Sequence, residues 1–250
     1  MGNYSEFYAP DGLRTRGTVV VVPGRGETQR TYTRLGKRLA ADAYDVCVVD
    51  PPRIDAADIG GSLERLADAL TAVVSESERP HPLVLLGADA GATAIAALLA
   101  RHDTAIWWPD AVVLAGPAGC TTGAASSWDE ELDLRTSCPV HRGVLTRDVA
   151  VARGSLAAAV PDELLDAAYG GGVELPQLVL VGDADPLADR EALARFVKAS
   201  PAARLSVVHG AHHDVLNDVQ HRSVAAAIVS FLETLGNNLV PVISVESSTW

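Results

Sequence analysis

The sequence predicts an α/β protein built on a doubly wound, mostly parallel sheet with helices on both faces. Three observations carry that expectation. Short apolar runs alternate with helical patterns along most of the chain. The runs are rich in Val and Leu with little polar alternation, as strands buried on both faces require. The segments between them repeat apolar residues on one side, which is how helices pack on such a sheet.

Six runs read as strands: Thr18–Val22, Asp45–Asp50, Pro82–Gly87, Ala111–Ala115, Gln177–Gly182 and Arg204–His209. Leu63, Leu66, Ala67, Leu70, Val73 and Val74 mark one amphipathic helix, and Val224, Ile228, Phe231, Leu232 and Leu235 mark another. The stretch AGATAIAALLARH after Gly87 is apolar all round and predicts a buried helix. Residues 117–173 break the alternation, with short helical pieces and no clear strand. So long a segment inside a compact domain has its own structure or a function. It is expected to be a small helical lid inserted into a core domain of residues 1–116 and 174–250; a peripheral subdomain without a chemical role is the alternative. The tail after Gly236 reads either as an extended arm or as a loose end.

Charge and composition exclude several function classes. Hydrophobic residues make up 48% and charged residues 21% of 250, which argues against disorder. With 32 acids against 20 bases the formal charge is -12, unfavourable for nucleic acid or an anionic membrane surface. No apolar run approaches the roughly 18 residues of a membrane span, and the first residues show no secretory pattern. Cys47, Cys120 and Cys138 form no CxxC pair, so free thiols and a cytoplasmic location are expected.

Ligand sites in open α/β sheets lie beyond the carboxyl ends of the strands, so the residues after each run carry the functional argument. After the third run comes Gly87-Ala88-Asp89-Ala90-Gly91. Small residues around Asp89 permit a sharp strand-to-helix turn that lifts its carboxylate above the sheet at a helix N-terminus. A plain N-cap is the bland alternative. Gly182-Asp183-Ala184-Asp185-Pro186 follows the fifth run, and His209-Gly210-Ala211-His212-His213-Asp214 the sixth. The first strand leads into Pro23-Gly24-Arg25-Gly26-Glu27, which is too short for a phosphate-cradling loop. His209, His212, His213 and Asp214 could hold zinc, but no second ligand cluster accompanies them, and no metal or cofactor is expected. Cys138 with His141 makes no convincing nucleophile pair. Trp107 and Trp108 are expected to pack, and Trp128 and Tyr169 either to line a pocket or to fill a lid core.

G-x-D-x-G between strand and helix, followed in order by Asp185 and His213, resembles the α/β-hydrolase superfamily over roughly Thr18 to Leu235. The resemblance implies a triad of Asp89, Asp185 and His213, with Asp183 and His212 as fallback choices. Family spacing favours Asp185 and His213, each three residues after a Gly. It also implies an oxyanion hole from the backbone N–H groups of Arg25 and Ala90. The Arg25 side chain itself is expected in solvent, with a substrate carboxylate or Glu27 as alternative partners.

An aspartate at such an elbow suits attack on an sp3 carbon with a leaving group, giving an alkyl-enzyme ester that His213-activated water then cleaves. The resemblance therefore implies a hydrolase of a small organic molecule, similar to epoxide hydrolases. Departures from that subgroup are visible: Ala90 stands where a Trp is common, and the lid segment has one tyrosine, Tyr169, where two are usual. Two other classes stay open. One is a non-hydrolytic lyase, isomerase or cyclase of secondary metabolism using Asp89 and His213 as acid and base. The other is a small-molecule binding protein without turnover. Oligomeric state is not legible.

Overall fold

The computed structural model describes residues 4–76, 78–101, 105–171 and 173–247. His102 at the end of the predicted buried helix, Gly172 and the last three residues of the tail lie outside them. A seven-stranded sheet has the order β1-β3-β2-β4-β5-β6-β7. The strands are β1 (Tyr4–Phe7), β2 (Thr18–Val22), β3 (Asp45–Val49), β4 (Leu83–Ala88), β5 (Ala111–Ala115), β6 (Gln177–Gly182) and β7 (Ala203–Val208). All neighbours run parallel except β1, which pairs antiparallel with β3. β1 is the strand that sequence reasoning did not foresee. Its residues, Tyr-Ser-Glu-Phe, are half-buried at the sheet edge and lack the aliphatic run of a central strand.

Helices cover both faces. On one, Val19 and Val21 of β2 pack with α1 (Thr33–Ala41) and α8 (His221–Leu235). On the other, Val20 and Val22 pack with α2 (Ile59–Ser75), α3 (Asp89–Ala100) and α7 (Arg190–Ala199). Alternate side chains of one strand thus feed two cores, and every residue of β2 is fully buried. Each buried aliphatic contributes roughly 1.5–3 kcal/mol of transfer free energy. Every residue of α3 from Asp89 to Leu99 is buried, because the helix lies between the sheet and α6 (Asp162–Tyr169).

Between β5 and β6 the chain also forms α4 (Trp128–Arg135) and α5 (Pro139–Arg147). Leu164 and Ala168 of α6 belong to the same core as α3. Leu132, Leu145 and Val151 make a small separate cluster, with Trp128 packed against it. Trp107 is buried in the main core. Residues 237–247 form neither helix nor strand and expose Val240, Val242, Ile243 and Val245. Among the described residues no helix is long and apolar enough to cross a membrane. The three cysteines are free, Cys47 and Cys138 buried and Cys120 exposed.

Candidate active site

Three parallel strands deliver the three predicted triad residues to one end of the sheet. β4 ends at Ala88 in extended backbone, and Asp89 then adopts φ +46° as the chain turns into α3. A non-glycine residue in the left-handed region costs about 1–3 kcal/mol, and a helix cap does not require it. The neighbouring glycines allow the turn. A Cβ on Gly87 would stand 2.5 Å from Ala92 Cα, and one on Gly91 would stand 2.4 Å from the Pro23 carbonyl. A Cβ on Gly24 would stand 2.7 Å from Asp89 Cβ. The G-x-D-x-G spacing and Gly24 are thus the packing conditions for raising this carboxylate.

His213 Nδ1 lies 2.9 Å from Asp185 Oδ2, and Asp185 Oδ1 accepts the Leu187 N–H at 2.9 Å. The other imidazole nitrogen, Nε2, stands 3.1 Å from Asp89 Oδ1. That is ion-pair distance, yet the buried Nε2 has no partner at hydrogen-bond geometry. Asp89, Asp185 and His213 are all buried. The fallback residues are engaged elsewhere. Asp183 Oδ2 meets His209 Nδ1 at 2.8 Å, and His212 Nδ1 meets Asp218 Oδ2 at 3.0 Å.

Arg25 departs from expectation. Its side chain is only 13% exposed and forks onto Asp89, with Nη2 donating to Oδ1 at 2.8 Å and Nε to Oδ2 at 2.9 Å. Its backbone N–H also donates to Oδ2, at 2.8 Å. The solvent role predicted for this side chain is therefore wrong. The carboxylate outcompetes water because a bidentate guanidinium pair in a nearly dry site is far stronger than a solvated one. Ala90, the other expected N–H donor, is the next residue in α3 and is buried.

These contacts set the charges. Burial pushes the Asp89 carboxyl up, but His213 and Arg25 outweigh it and hold it well below the usual carboxylate range. Burial lowers the His213 pKa, but Asp185 and Asp89 raise it to about 10. Asp185, His213, Asp89 and Arg25 thus stand in a row in which His213 is favoured in its protonated form and Asp89 in its ionised form.

A second buried polar cluster roofs the site, and sequence reasoning missed it. Arg135 donates to Glu131 Oε1 at 2.9 Å and to the Arg25 carbonyl at 2.8 Å, and its Nη1 lies 3.4 Å from Asp214 Oδ1. His141 Nε2 meets Asp214 Oδ2 at 2.7 Å. Glu27 accepts the Gly24 N–H at 2.8 Å and the Tyr32 hydroxyl. Burial, with Asp214 adding to it, lifts the Glu27 carboxyl to about 7. Glu27, His141 and Asp214 place ligand-type atoms within 4.8 Å of one another. The Arg135 guanidinium beside Asp214 already supplies positive charge there, which opposes a bound cation. The only local signal for this roof was the i,i+4 spacing of Glu131 and Arg135.

Space is unevenly distributed. The cavity touching Asp89, His213, Glu27 and Tyr32 holds about 10 Å³, at the lower limit for one water. Outside Arg25 opens a cleft of about 850 Å³, which also borders Arg30, Arg53, Asp148 and Val149. A second cleft, of about 520 Å³, lies between α6 and the loop after β5. Tyr169 lines it while donating to the Ala118 carbonyl at 2.7 Å and packing edge-on against Phe196. Trp128 lies away from both, its indole N–H donating to Thr146 and the Arg153 guanidinium 5.0 Å from its ring.

The strand order, the elbow and the sites after β6 and β7 together define the α/β-hydrolase fold, and solved structures agree. A monoglyceride lipase variant from Saccharomyces cerevisiae superposes with a TM-score of 0.70 at 16% identity, over 93% of this chain and 91% of the other. The monoacylglycerol lipase of Paleococcus ferrophilus gives 0.70 at 19% identity, over 93% and 98%. An enol-lactonase from Burkholderia xenovorans gives 0.67 at 18% identity, over 92% and 95%. No family model and no curated protein matches the sequence.

Proposed function

We propose that the protein is a hydrolase of small organic molecules that works through an alkyl-enzyme ester on Asp89. The observation that carries this reading is the pair of environments of the Asp89 oxygens. Oδ2 sits on the Arg25 backbone N–H, and Oδ1 faces His213. In a serine enzyme the oxyanion hole receives an oxygen of the substrate. In an aspartate enzyme the ester carbonyl belongs to the enzyme, so the oxygen to be stabilised occupies the hole throughout. Oδ2 meets that requirement.

The chemistry follows from the charges. Oδ1 attacks an sp3 carbon, most simply of an epoxide; the carbon–oxygen bond breaks and its electron pair leaves on the oxygen. Asp89 becomes a neutral ester. One of the two anions that kept His213 protonated is then gone, and the imidazole gives up its proton, which reaches the opened oxygen through solvent. Neutral His213, oriented by Asp185, takes a proton from water that attacks Asp89 Cγ. The tetrahedral oxyanion forms at Oδ2. On its collapse the Cγ–Oδ1 bond breaks, and His213 returns its proton to the leaving oxygen to complete the diol. The new carboxylic acid gives its proton to His213, restoring the carboxylate and the imidazolium. The segment between β5 and β6 would act as the lid, since its Asp148, Val149, Ala150 and Ala152 line the 850 Å³ cleft that Arg25 borders. The structural neighbours, described as lipases and a lactonase, support hydrolysis as the reaction class.

One observation favours a second reading. A carboxylate held at both oxygens by Arg25 is a weak nucleophile and an equally weak base, which suits a binding protein without turnover. His213→Gln decides between them. In the covalent route this variant accumulates the substrate mass on the Asp89 peptide during incubation with an epoxide that the wild type opens. An adduct-free variant, with label from oxygen-18 water entering the first wild-type product directly, would overturn the ester.

A further inference from the structure

We propose that Arg25 is the substrate-recognition residue of this site and that it selects substrates bearing a carboxylate close to the reacting carbon. The inference rests on the ester reading for its chemistry but on geometry for its ligand.

The Arg25 fork already holds a carboxylate, that of Asp89, through Nε and Nη2. It is therefore shaped for that planar anion. The cavity that Asp89 lines holds only about 10 Å³, and the Arg25 fork occupies both carboxylate oxygens, so a substrate carbon that is to reach Oδ1 must displace Arg25. Alkylation then removes the charge that Arg25 is paired with. The other cations of the site keep their partners: Arg135 has Glu131 and Asp214, and His213 has Asp185. Among the described residues at the site, Arg25 is the cation whose partner the reaction consumes.

Leaving a largely buried guanidinium without an anion is strongly unfavourable. A neutral substrate bears that cost in full, whereas a substrate carboxylate exchanges one ion pair for another and frees Asp89 in the same motion. The exchange has somewhere to happen, because Arg25 lines the 850 Å³ cleft, which also carries Arg30 and Arg53 beside Glu27, Asp50 and Asp148. The carboxylate preference is therefore assigned to the Arg25 fork and not to the charge of the cleft as a whole.

The matched probes are glycidate, an epoxide with a carboxylate, and glycidamide, its neutral amide. Asp89→Asn imitates the neutral ester and cannot form it. By calorimetry this variant should bind glycidate at least about tenfold more tightly than glycidamide, a preference worth one good ionic contact. Adding Arg25→Gln should bring the two probes within about twofold, and Arg25→Lys, which keeps charge without the fork, should fall between. In wild type, kcat/KM should favour glycidate, with the preference lost in Arg25→Gln. Equal binding, no binding, or a preference that survives Arg25→Gln overturns the proposal. Turnover of glycidamide as fast as glycidate also overturns it and leaves the hydrolase reading intact. Arg25-dependent glycidate binding without turnover of either epoxide upholds the carboxylate site and removes the ester chemistry. Should Arg25→Gln fail to fold, the comparison of probes in Asp89→Asn and in wild type still decides.

Discussion

The floor and the roof of the space around Asp89 are made of opposite materials. The floor is β4, β5 and α3, where glycine, alanine and aliphatic residues pack without a charge other than Asp89 itself. The roof is Arg25, Glu27, Glu131, Arg135, His141 and Asp214, a buried polar network drawn from loops and helices far apart in the chain. The floor fixes where the Asp89 carboxylate stands by excluding every Cβ but the necessary ones. The roof fixes its charge and its access. Position and reactivity are therefore set by separate parts of the molecule, and substitutions should separate them.

The largest effect is expected at the acid beyond β6, which belongs to neither floor nor roof. Asp185→Asn removes the anion that orients His213 and stabilises its protonated form, and should lower kcat by roughly 10³–10⁴-fold with little change in thermal stability. Asp183→Asn, on a loop residue paired with His209, should leave kcat within about threefold; a reversed ranking would reassign the acid. Arg135→Met tests the roof. It strands Glu131 and Asp214 without their cation and should cost about 3–5 kcal/mol in denaturant unfolding. A loss below about 1 kcal/mol would show that the roof is solvated. Gly91→Ala tests the floor, pressing a methyl onto the Pro23 carbonyl, and should cost about 1–3 kcal/mol.

The smallest effect is a pH dependence of stability. His213 is raised to about 10 in the fold, so its contribution is complete below its unfolded pKa near 6.5 and is lost as pH climbs through 10. Glu27, raised to about 7, acts in the same direction between about 4.5 and 7. Asp89, held low, contributes above about 3.8 and is lost on acidification; its pairing with His213 is one interaction and counts once. Thermal midpoints should therefore peak near pH 5 and decline towards pH 10. His213→Gln should flatten the alkaline limb, and an unchanged limb would assign it to other groups.

The same division explains what the sequence disclosed. β2, β4, β5 and β6 were legible because a centrally buried parallel strand must be a short aliphatic run, and α3 because it is enclosed on all sides. That the segments holding Asp89, Asp185 and His213 meet was legible because residues just beyond strand ends converge at one edge of a parallel sheet, while the choice of Asp185 over Asp183 and of His213 over His212 rested on the family resemblance. β1 was not, since an edge strand needs no continuous apolar face. Nor was the role of Arg25, which lies 64 positions from Asp89, or the Arg135–Asp214 contact, which spans 79. Such pairs leave no period in the sequence; only the folded backbone brings them together.

The residue at the elbow also decides which reagents report on this protein. Fluorophosphonate probes tag serine hydrolases by phosphonylating a hydroxyl, and the bond endures because water attacks it slowly. Here the turn presents a carboxylate, whose phosphonyl product is a mixed anhydride that water destroys quickly. Under the proposed ester chemistry, proteome-wide labelling of that kind would pass over this chain, and an electrophile that alkylates, such as an epoxide or an activated halide, would be the reagent to which its elbow answers.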